Sequence, residues 1–446
     1  VPGLLLRQPE AAKMVHYWIG TLLVAAVAIM ARKHFGASSA WMAAIAFAGM
    51  PIVLWEATTA YVDLTAALYT AAAVHLLLNY LDNPERRCII GCAACGGFAA
   101  SAKMTGLAVI PLLAIWLLAD RWAALRRLEW KSGVLLVMVA MLVCSPWYVK
   151  SYLYTGNPVY PFFYPVFGGR DWSIELARNY SMLQSRFGLG HGPAALLTLP
   201  YDLALRPDAF YDTPGLFVGP MFLAGVPLLL LGRYGSRKLV GLVGFFLAQV
   251  VIWFELTQQS RYLIPAFALL AVLVAGLAGE DHALRRARVA LLLVFVATAL
   301  FGIWTLGPFV RSALPVVLGL ETRNQYLGRT LDIYAAQRFI NENLPADSRV
   351  ALFGDTRGFY LERKYVWADP GHNLRFSRRC GTVESFVRNL RDARVTHALV
   401  NFRFFPPARE ARGASRLVYE AIRLGRFWRI YPLREDGRAV AVYEVR

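Results

Sequence analysis

The chain has 446 residues, of which 57% are hydrophobic, 13% aromatic and 17% charged, with a formal net charge of +18. This is too apolar for a soluble chain of that length, so a bilayer has to act as part of the solvent. The charge does not indicate nucleic acid: residues 1–319 carry 24 basic against 15 acidic side chains, mostly in loops between apolar stretches, and residues 320–446 carry 23 against 14.

Apolar stretches of about 17 to 25 residues can cross a hydrocarbon core of roughly 30 Å as helices. They lie near residues 14–31, 40–55, 58–81, 88–102, 104–119, 132–148, 214–232, 238–254, 262–279 and 288–308. The expected fold class is therefore a multi-pass α-helical membrane protein of about ten spans, with a transmembrane domain over residues 1–310. Basic residues collect in cytoplasmic loops. Arg32 and Lys33 follow the first span, Arg86 and Arg87 the third, and Arg121, Arg126, Arg127 and Lys131 the fifth. Arg233, Arg237 and Lys238 follow the seventh, and Arg285, Arg286 and Arg288 the ninth. Odd-numbered spans thus end inside. The connections near 56–61, 103, 149–213 and 255–261, and everything after the tenth span, are expected outside. The long loop 149–213 fits, with five basic residues (Lys150, Arg170, Arg178, Arg186, Arg206) balanced by five acids (Asp171, Glu175, Asp202, Asp208, Asp212).

The sequence opens Val1-Pro2-Gly3 with no basic n-region or cleavage site, which leads to the expectation of an earlier span and outer loop ahead of it. Cys88, Cys92 and Cys95 sit in one apolar stretch without His or acidic neighbours and read as packing residues, not a metal site. Cys144 also lies in a span, and Cys380 is the single cysteine of the tail.

Residues 320–446 read as a soluble α/β domain. An amphipathic helix is expected over 327–343, stopped by Leu344-Pro345. Strands are expected at Val350 to Phe353, Tyr365 to Trp367, His397 to Asn401, Phe427 to Pro432 and Ala439 to Val445, with helices at 382–393 and 414–424 between them. The turn Gly354-Asp355-Thr356-Arg357-Gly358 lacks the spacing of a phosphate cradle and reads as a plain strand-to-helix turn. All basic residues of this domain but Lys364 are Arg, which makes either a solvated surface or a face for anionic headgroups or a phosphorylated substrate.

Ionisable residues beside spans are functional suspects. Four share the outer level: Glu56 and Asp63 before and at the third span, Lys103 between the fourth and fifth, and Arg261 at the start of the ninth. Glu56 and Asp63 are seven apart, so a continuous helix would put them on one face. A snorkelling or structural role suits any one of the four; four at one level favour a site. The loop after the sixth span contributes Trp147, Tyr148, Asn157, Tyr160 and Asp171, with Arg170, Trp172 and His191 as further polar candidates. It is longer than a passive connection.

With Ala60-Tyr61-Val62-Asp63, Ser101-Ala102-Lys103-Met104-Thr105-Gly106, Pro146-Trp147, Gly156-Asn157-Pro158-Val159-Tyr160-Pro161 and Arg261-Tyr262-Leu263-Ile264-Pro265 in this order, nearly the whole chain resembles the GT-C superfamily. It is most similar to the dolichyl-phosphate-mannose-protein mannosyltransferase-like and aminoarabinose-transferase-like group. The resemblance implies transfer of a hexose or pentose from a polyprenyl-phosphate donor to a lipid, glycan or protein hydroxyl, at the outer face of a bacterial cytoplasmic (inner) membrane. Lys103, Arg261 and Tyr262 would hold the donor phosphate, Asp63 and Glu56 would serve the acceptor, and the 149–213 loop would line the substrate. No cofactor is expected, and no metal-ligand pattern stands in the sequence. The superfamily's usual base lies in an outer loop after its first span, which this sequence does not display, so Asp63 is expected to orient substrate. Two other classes remain: a secondary transporter, although no internal repeat or midplane charge is visible, and a non-catalytic scaffold or polysaccharide-export component.

Overall fold

A computed structural model describes residues 10–126, 129–210, 218–232, 234–280, 285–369, 376, 380–432 and 439–446. Val1-Pro2-Gly3, Arg127, Asp212, Arg233, the start of the stretch near 214, and the side chains of Arg285 and Arg286 lie outside that description. The chain divides into one unit of Val1–Trp172 and Ser181–Pro308 and a second of Ser173–Tyr180 and Phe309–Arg446.

The first unit is helical. It contains α1 (Glu10–Phe35), α2 (Ala37–Ala48), α3 (Pro51–Ala57), α4 (Asp63–Asp82), α5 (Arg86–Ala102), α6 (Val109–Leu125) and α7 (Trp130–Thr155). Short α8 (Tyr164–Phe167) and α10 (Pro193–Leu205) follow within the long loop, and between them α9 (Ile174–Gln184) is divided, its residues up to Tyr180 belonging to the second unit. After them come α11 (Met221–Leu231), α12 (Arg237–Leu256), α13 (Ile264–Glu280) and α14 (Arg285–Val317). Among the described residues seven helices are long and apolar enough to span, or eight if the α2–α3 pair, bent by 72°, is one broken span. The expected count of about ten is not confirmed, and three of the ten stretches fall outside the seven. The second stretch is that broken pair, with Pro51 opening α3 where its missing N–H removes no helical bond. The fourth is the 17-residue α5. The seventh is described only as the 11-residue α11.

α13 is the axis of the unit. From Ile264 to Ala278 nearly every side chain is buried, Phe267, Leu270 and Val274 completely. Other helices expose apolar faces, such as Leu142 on α7 and Leu293 on α14, as a lipid-facing shell requires. The helices alternate in direction. At one end the α1, α4 and α6 C-termini meet the α12 N-terminus: Lys238 pairs with Asp82, Arg237 lies 3.6 Å from Asp120, and the Arg121 Nη2 donates to the Tyr80 carbonyl at 3.1 Å. Of the basic residues that the charge rule gathers on one side, Arg121, Arg237 and Lys238 therefore share this end of the bundle.

The second unit holds a five-stranded sheet of order β2-β1-β3-β5-β4. The strands are β1 (Arg349–Phe353), β2 (Lys364–Trp367), β3 (His397–Asn401), β4 (Phe427–Tyr431) and β5 (Val440–Val445). β1 pairs in parallel with β2 and β3, while β5 is antiparallel to β3 and β4. Both sheet faces are buried. Ala351, Phe353, Ala398 and Val400 face a core shared with α17 (Val383–Asp392) and α18 (Ala414–Arg423), with Phe386 and Val418 fully enclosed. Val350, Leu352 and Leu399 alternate to the other face, against Ile333, Ala336 and Ile340. Two expectations fail here. The helix over 327–343 is broken into α15 (Arg323–Thr330) and α16 (Tyr334–Asn343), because Asp332 leaves the helical path and bonds the Ile333 N–H at 3.0 Å. The 354–358 turn leads to no helix; residues 354–363 run directly to β2.

Candidate active site at one end of the helical unit

Three helix breaks assemble this end, opposite the Asp82–Lys238 pair. The first separates α3 from α4. Asp63 becomes the first residue of α4, where its negative charge suits the helix N-terminus. Glu56 stays in the last turn of α3, so the two acids do not share one helix face as their spacing predicted. The second break follows α5. Gly106 sits so tightly on its end that a Cβ there would lie 2.2 Å from the Ala99 carbonyl oxygen. That approach folds Met104–Ala108 into a 3-10 turn and leaves Lys103 extended at the corner. The third is the 3-10 turn Ser260–Leu263 ahead of α13, which presents Arg261 and Tyr262.

These corners bring four of the five expected donor and acid residues into direct contact or one bond away. The Lys103 ammonium pairs with the buried Asp63 carboxylate and also stands 3.1 Å from the centre of the Tyr262 ring. Arg261 lies 4.6 Å over Tyr61 and 5.1 Å over Tyr262, close enough for cation–π attraction at both rings. Its Nε donates to the Gln259 Oε1 at 3.1 Å, and its Nη2 to the Tyr262 hydroxyl at 3.4 Å. No described residue accepts from its Nη1. Glu56 is fully buried, within electrostatic range of both Lys103 and Arg261. Its carbonyl accepts from the His16 Nδ1 at 3.0 Å, and that nitrogen also lies 2.9 Å from the Thr59 carbonyl. His16 thus ties α1 to the α3–α4 break. Neither His16 nor Tyr61 figured among the expected site residues, although a histidine inside an apolar stretch is a signal of the same kind as Lys103.

The 3-10 turn before α13 is itself anchored from the long loop. The Gln258 Nε2 donates to the Gly190 carbonyl at 2.7 Å, and the Ser260 N–H to Phe210 at 2.8 Å. His191 Nδ1 contacts the Phe254 carbonyl at 2.7 Å.

The five loop candidates divide. Trp147 and Tyr148 are not in the loop: α7 continues through Pro146 to Thr155 and stops at Gly156, whose φ of 77° supplies the left-handed ending. Trp147 is exposed, with Lys150 4.8 Å over its ring, and the Tyr148 hydroxyl donates to the Ala100 carbonyl at 2.8 Å, bracing the end of α5. Asn157 is completely buried. Its Nδ2 donates to Phe162 and Gly168 carbonyls at 2.9 and 3.0 Å, and its Oδ1 accepts from the Val159 N–H at 2.9 Å, so its amide staples the loop and both of its donors are used within it. Tyr160 packs edge-on against Trp172 with ring centres 5.7 Å apart. Burial, and then the neighbouring Asp171 carboxylate, raise its phenol above the ordinary value. Asp171 is exposed with φ 56°.

Residues 13–192 match a family model described as Domain of unknown function (DUF8201). No curated protein matches the chain. Among solved structures, ArnT from Cupriavidus metallidurans in the apo state is similar with a TM-score of 0.59 at 17% identity, over 97% of this chain and 83% of that one. The same protein bound to undecaprenyl phosphate gives 0.59 at 16%. The archaeal oligosaccharyltransferase AglB from Archaeoglobus fulgidus, in complex with an inhibitory peptide and a dolichol-phosphate, gives 0.53 at 13%, over 88% of this chain and 58% of that one. The fold is shared with ArnT and AglB: a multi-pass helical membrane protein with a C-terminal domain.

Proposed function

We propose that this chain is a membrane glycosyltransferase that moves a hexose or pentose from a polyprenyl-phosphate carrier to an acceptor hydroxyl at the outer face of the bacterial cytoplasmic membrane. The observation that carries the reading is the convergence of Lys103 and Arg261 on Tyr262 at one end of the helical unit, beside the buried Asp63. A lipid-linked donor has its phosphate at headgroup depth. When the bond from sugar C1 to phosphate oxygen breaks, negative charge grows on that oxygen, and fixed cations there stabilise it with little reorganisation. Arg261 offers a guanidinium edge for bidentate phosphate contact and Lys103 a point charge. Asp63 orients Lys103 by pairing with it, while Glu56, within range of both cations, receives the proton of the acceptor hydroxyl as its oxygen bonds to C1. The lipid phosphates bound by ArnT and AglB support a donor of this class, and the acceptor is a lipid, glycan or protein.

The test is a reconstitution of the full chain in proteoliposomes with an acceptor extract. Label should pass covalently from a polyprenyl-phosphate-linked sugar to acceptor, with polyprenyl phosphate released, and not from a nucleotide-linked sugar. Label crossing the bilayer without covalent transfer, or transfer from the nucleotide sugar alone, rejects the reading.

A further inference from the structure

The C-terminal unit carries a polar constellation that the transfer reading does not use. β1 has β2 on one side and β3 on the other, both parallel to it, so the direction of winding reverses at β1. In α/β sheets the crevice beyond the carboxyl ends of the strands flanking such a reversal is where ligands bind. Here that crevice lies beyond Phe353 and Asn401.

The chain is shaped to bring polar groups there. Gly354 leaves β1 with φ 71°, and a Cβ on it would lie 2.4 Å from the Asn401 carbonyl oxygen, so the two strand exits touch. Asp355, almost fully buried, binds the Arg357 guanidinium through both oxygens, at 2.9 Å to Nε and 2.6 Å to Nη2. The buried Asn401 Nδ2 donates to the same carboxylate at 2.8 Å. The α15–α16 break, where a helical pattern should have continued, delivers Asp332, whose Oδ1 accepts from the Arg357 Nη2 at 2.7 Å. A local pattern that gives way at one point is what functional positions tend to show. The amide of Gln337, completely buried, donates through Nε2 to the Arg357 carbonyl, while its Oε1 has no hydrogen-bond partner among the described residues. A buried acceptor without a donor carries a penalty that a packed, purely structural network would avoid.

The open valences define the ligand. Arg357 is fixed by Asp355, yet its Nη1 donates to no described residue. Asp332 Oδ2 has only long contacts, 3.5 Å to Asn401 Nδ2 and 3.9 Å to Arg403 Nη1. Arg403 is two-thirds exposed and makes no side-chain hydrogen bond among those described. Phe404, 59% exposed, lies beneath both guanidinium groups at 5.5 and 5.6 Å. Two acids and two arginines cancel, so neither an anion nor a cation gains from net charge. Donors and an open acceptor stand side by side next to an exposed aromatic ring. A saccharide meets this combination: adjacent hydroxyls both donate and accept, and the ring's C–H face packs on an aromatic.

We propose that the crevice between the β1 and β3 exits, walled by Arg357, Asp332, Arg403 and Phe404, is a binding site for a neutral saccharide. Its natural occupant under the transfer reading is the glycan part of the acceptor, but saccharide binding is measurable without donor lipid and stands independently of chemistry at Lys103. The experiment is saturation-transfer NMR on the full chain in detergent with glucose, galactose, mannose, arabinose and N-acetylglucosamine, each offered alone, with inorganic phosphate followed by phosphorus linewidth. Signal from at least one saccharide is expected, lost in Phe404→Ala and in Arg403→Ala, both exposed positions, and kept in Arg338→Ala, an exposed arginine on α16. Equal melting profiles of the four proteins establish that the fold is intact. Saccharide signal that survives both site variants, its loss in Arg338→Ala as well, or no response to any saccharide overturns the proposal. Phosphate broadening without saccharide signal does so too, in favour of an anion site.

Discussion

Replacing Arg261 by Ala separates phosphate stabilisation from folding, and the geometry says why Lys103 cannot do so. Lys103 neutralises Asp63, whose side chain is 3% exposed. Removing Lys103 strands that carboxylate, and breaking a buried pair in this way costs about 3–5 kcal/mol of stability. Arg261 carries less of that duty: it donates to a neutral amide and a phenol and stands over two ring faces, and it acts on the buried Asp63 and Glu56 through space without a described ion pair. Its loss should lower the melting temperature in detergent less than the loss of Lys103 does. The effect falls on transfer. One fixed donor aimed at developing negative charge is worth about 100- to 1,000-fold in kcat, about 3–4 kcal/mol. Arg261→Lys keeps the charge but not the planar fork, and should recover part of that loss. The assay follows polyprenyl phosphate released from a labelled donor under single-turnover conditions, beside a melting curve for each variant. Transfer within a factor of about 3 of the parent in Arg261→Ala, well below the loss expected of a stabilising donor, would refute the assignment. Equal losses of stability in Arg261→Ala and Lys103→Ala would refute the division of labour.

Further outcomes follow from other contacts. In Lys103→Ala the fold is expected to weaken, and adding Asp63→Asn should restore melting but not transfer, because the stranded charge is gone while the cation is still missing. Gly106→Ala should force the α5–α6 corner apart, since its Cβ would meet the Ala99 carbonyl at 2.2 Å; transfer should fall as far as in Lys103→Ala even though every charged residue is kept. Asn157→Ala removes three hydrogen bonds inside the long loop. Limited proteolysis should then cut between residues 157 and 172 faster than in the parent, with a stability loss of about 1–3 kcal/mol; an unchanged digest contradicts the staple. In the C-terminal unit, burial raises the Asp355 carboxyl, but hydrogen bonds from the Arg357 side chain and backbone and from Asn401 outweigh it, leaving it below its ordinary 3.8. A depressed acid contributes stability that is present above the unfolded value and lost as pH falls through the folded one. Hydrogen exchange of the β1 and β3 peptides, corrected for intrinsic rates, should therefore lose protection below pH 3.8. Asp355→Asn should be less protected at neutral pH and respond less to acid; an identical acid profile removes Asp355 as the cause.

Much of this molecule is legible in one dimension because two periodicities and one charge rule dominate it. Apolar length places α1, α4, α7, α12 and α13, and the basic loops predict which helix ends share a side, as the Asp82–Lys238 and Asp120–Arg237 pairs bear out. Period-two runs of β-prone residues place all five strands within a residue or so. What escapes is every feature set by tertiary approach. The apolar stretches place connections near 56–61, 103 and 255–261, but they do not show that the α3–α4 break, the Gly106 corner and the 3-10 turn before α13 bring Lys103 and Asp63 together and set Arg261 beside Tyr262. His16 escaped because its role depends on α1 lying against the α3–α4 break. Asn157 misled for the converse reason: a polar residue in an aromatic loop invites a substrate role until its hydrogen bonds are seen to close on the loop itself. The Gly354–Gly358 turn shows the same limit from the other side. Read alone it is a strand-to-helix turn without phosphate-binding spacing, whereas the structure runs it on to β2 with no helix. Only the pairing of β1 with both β2 and β3 puts its Asp355 and Arg357 at the reversal of the sheet, next to an Asn401 and an Asp332 that lie 46 and 23 residues away.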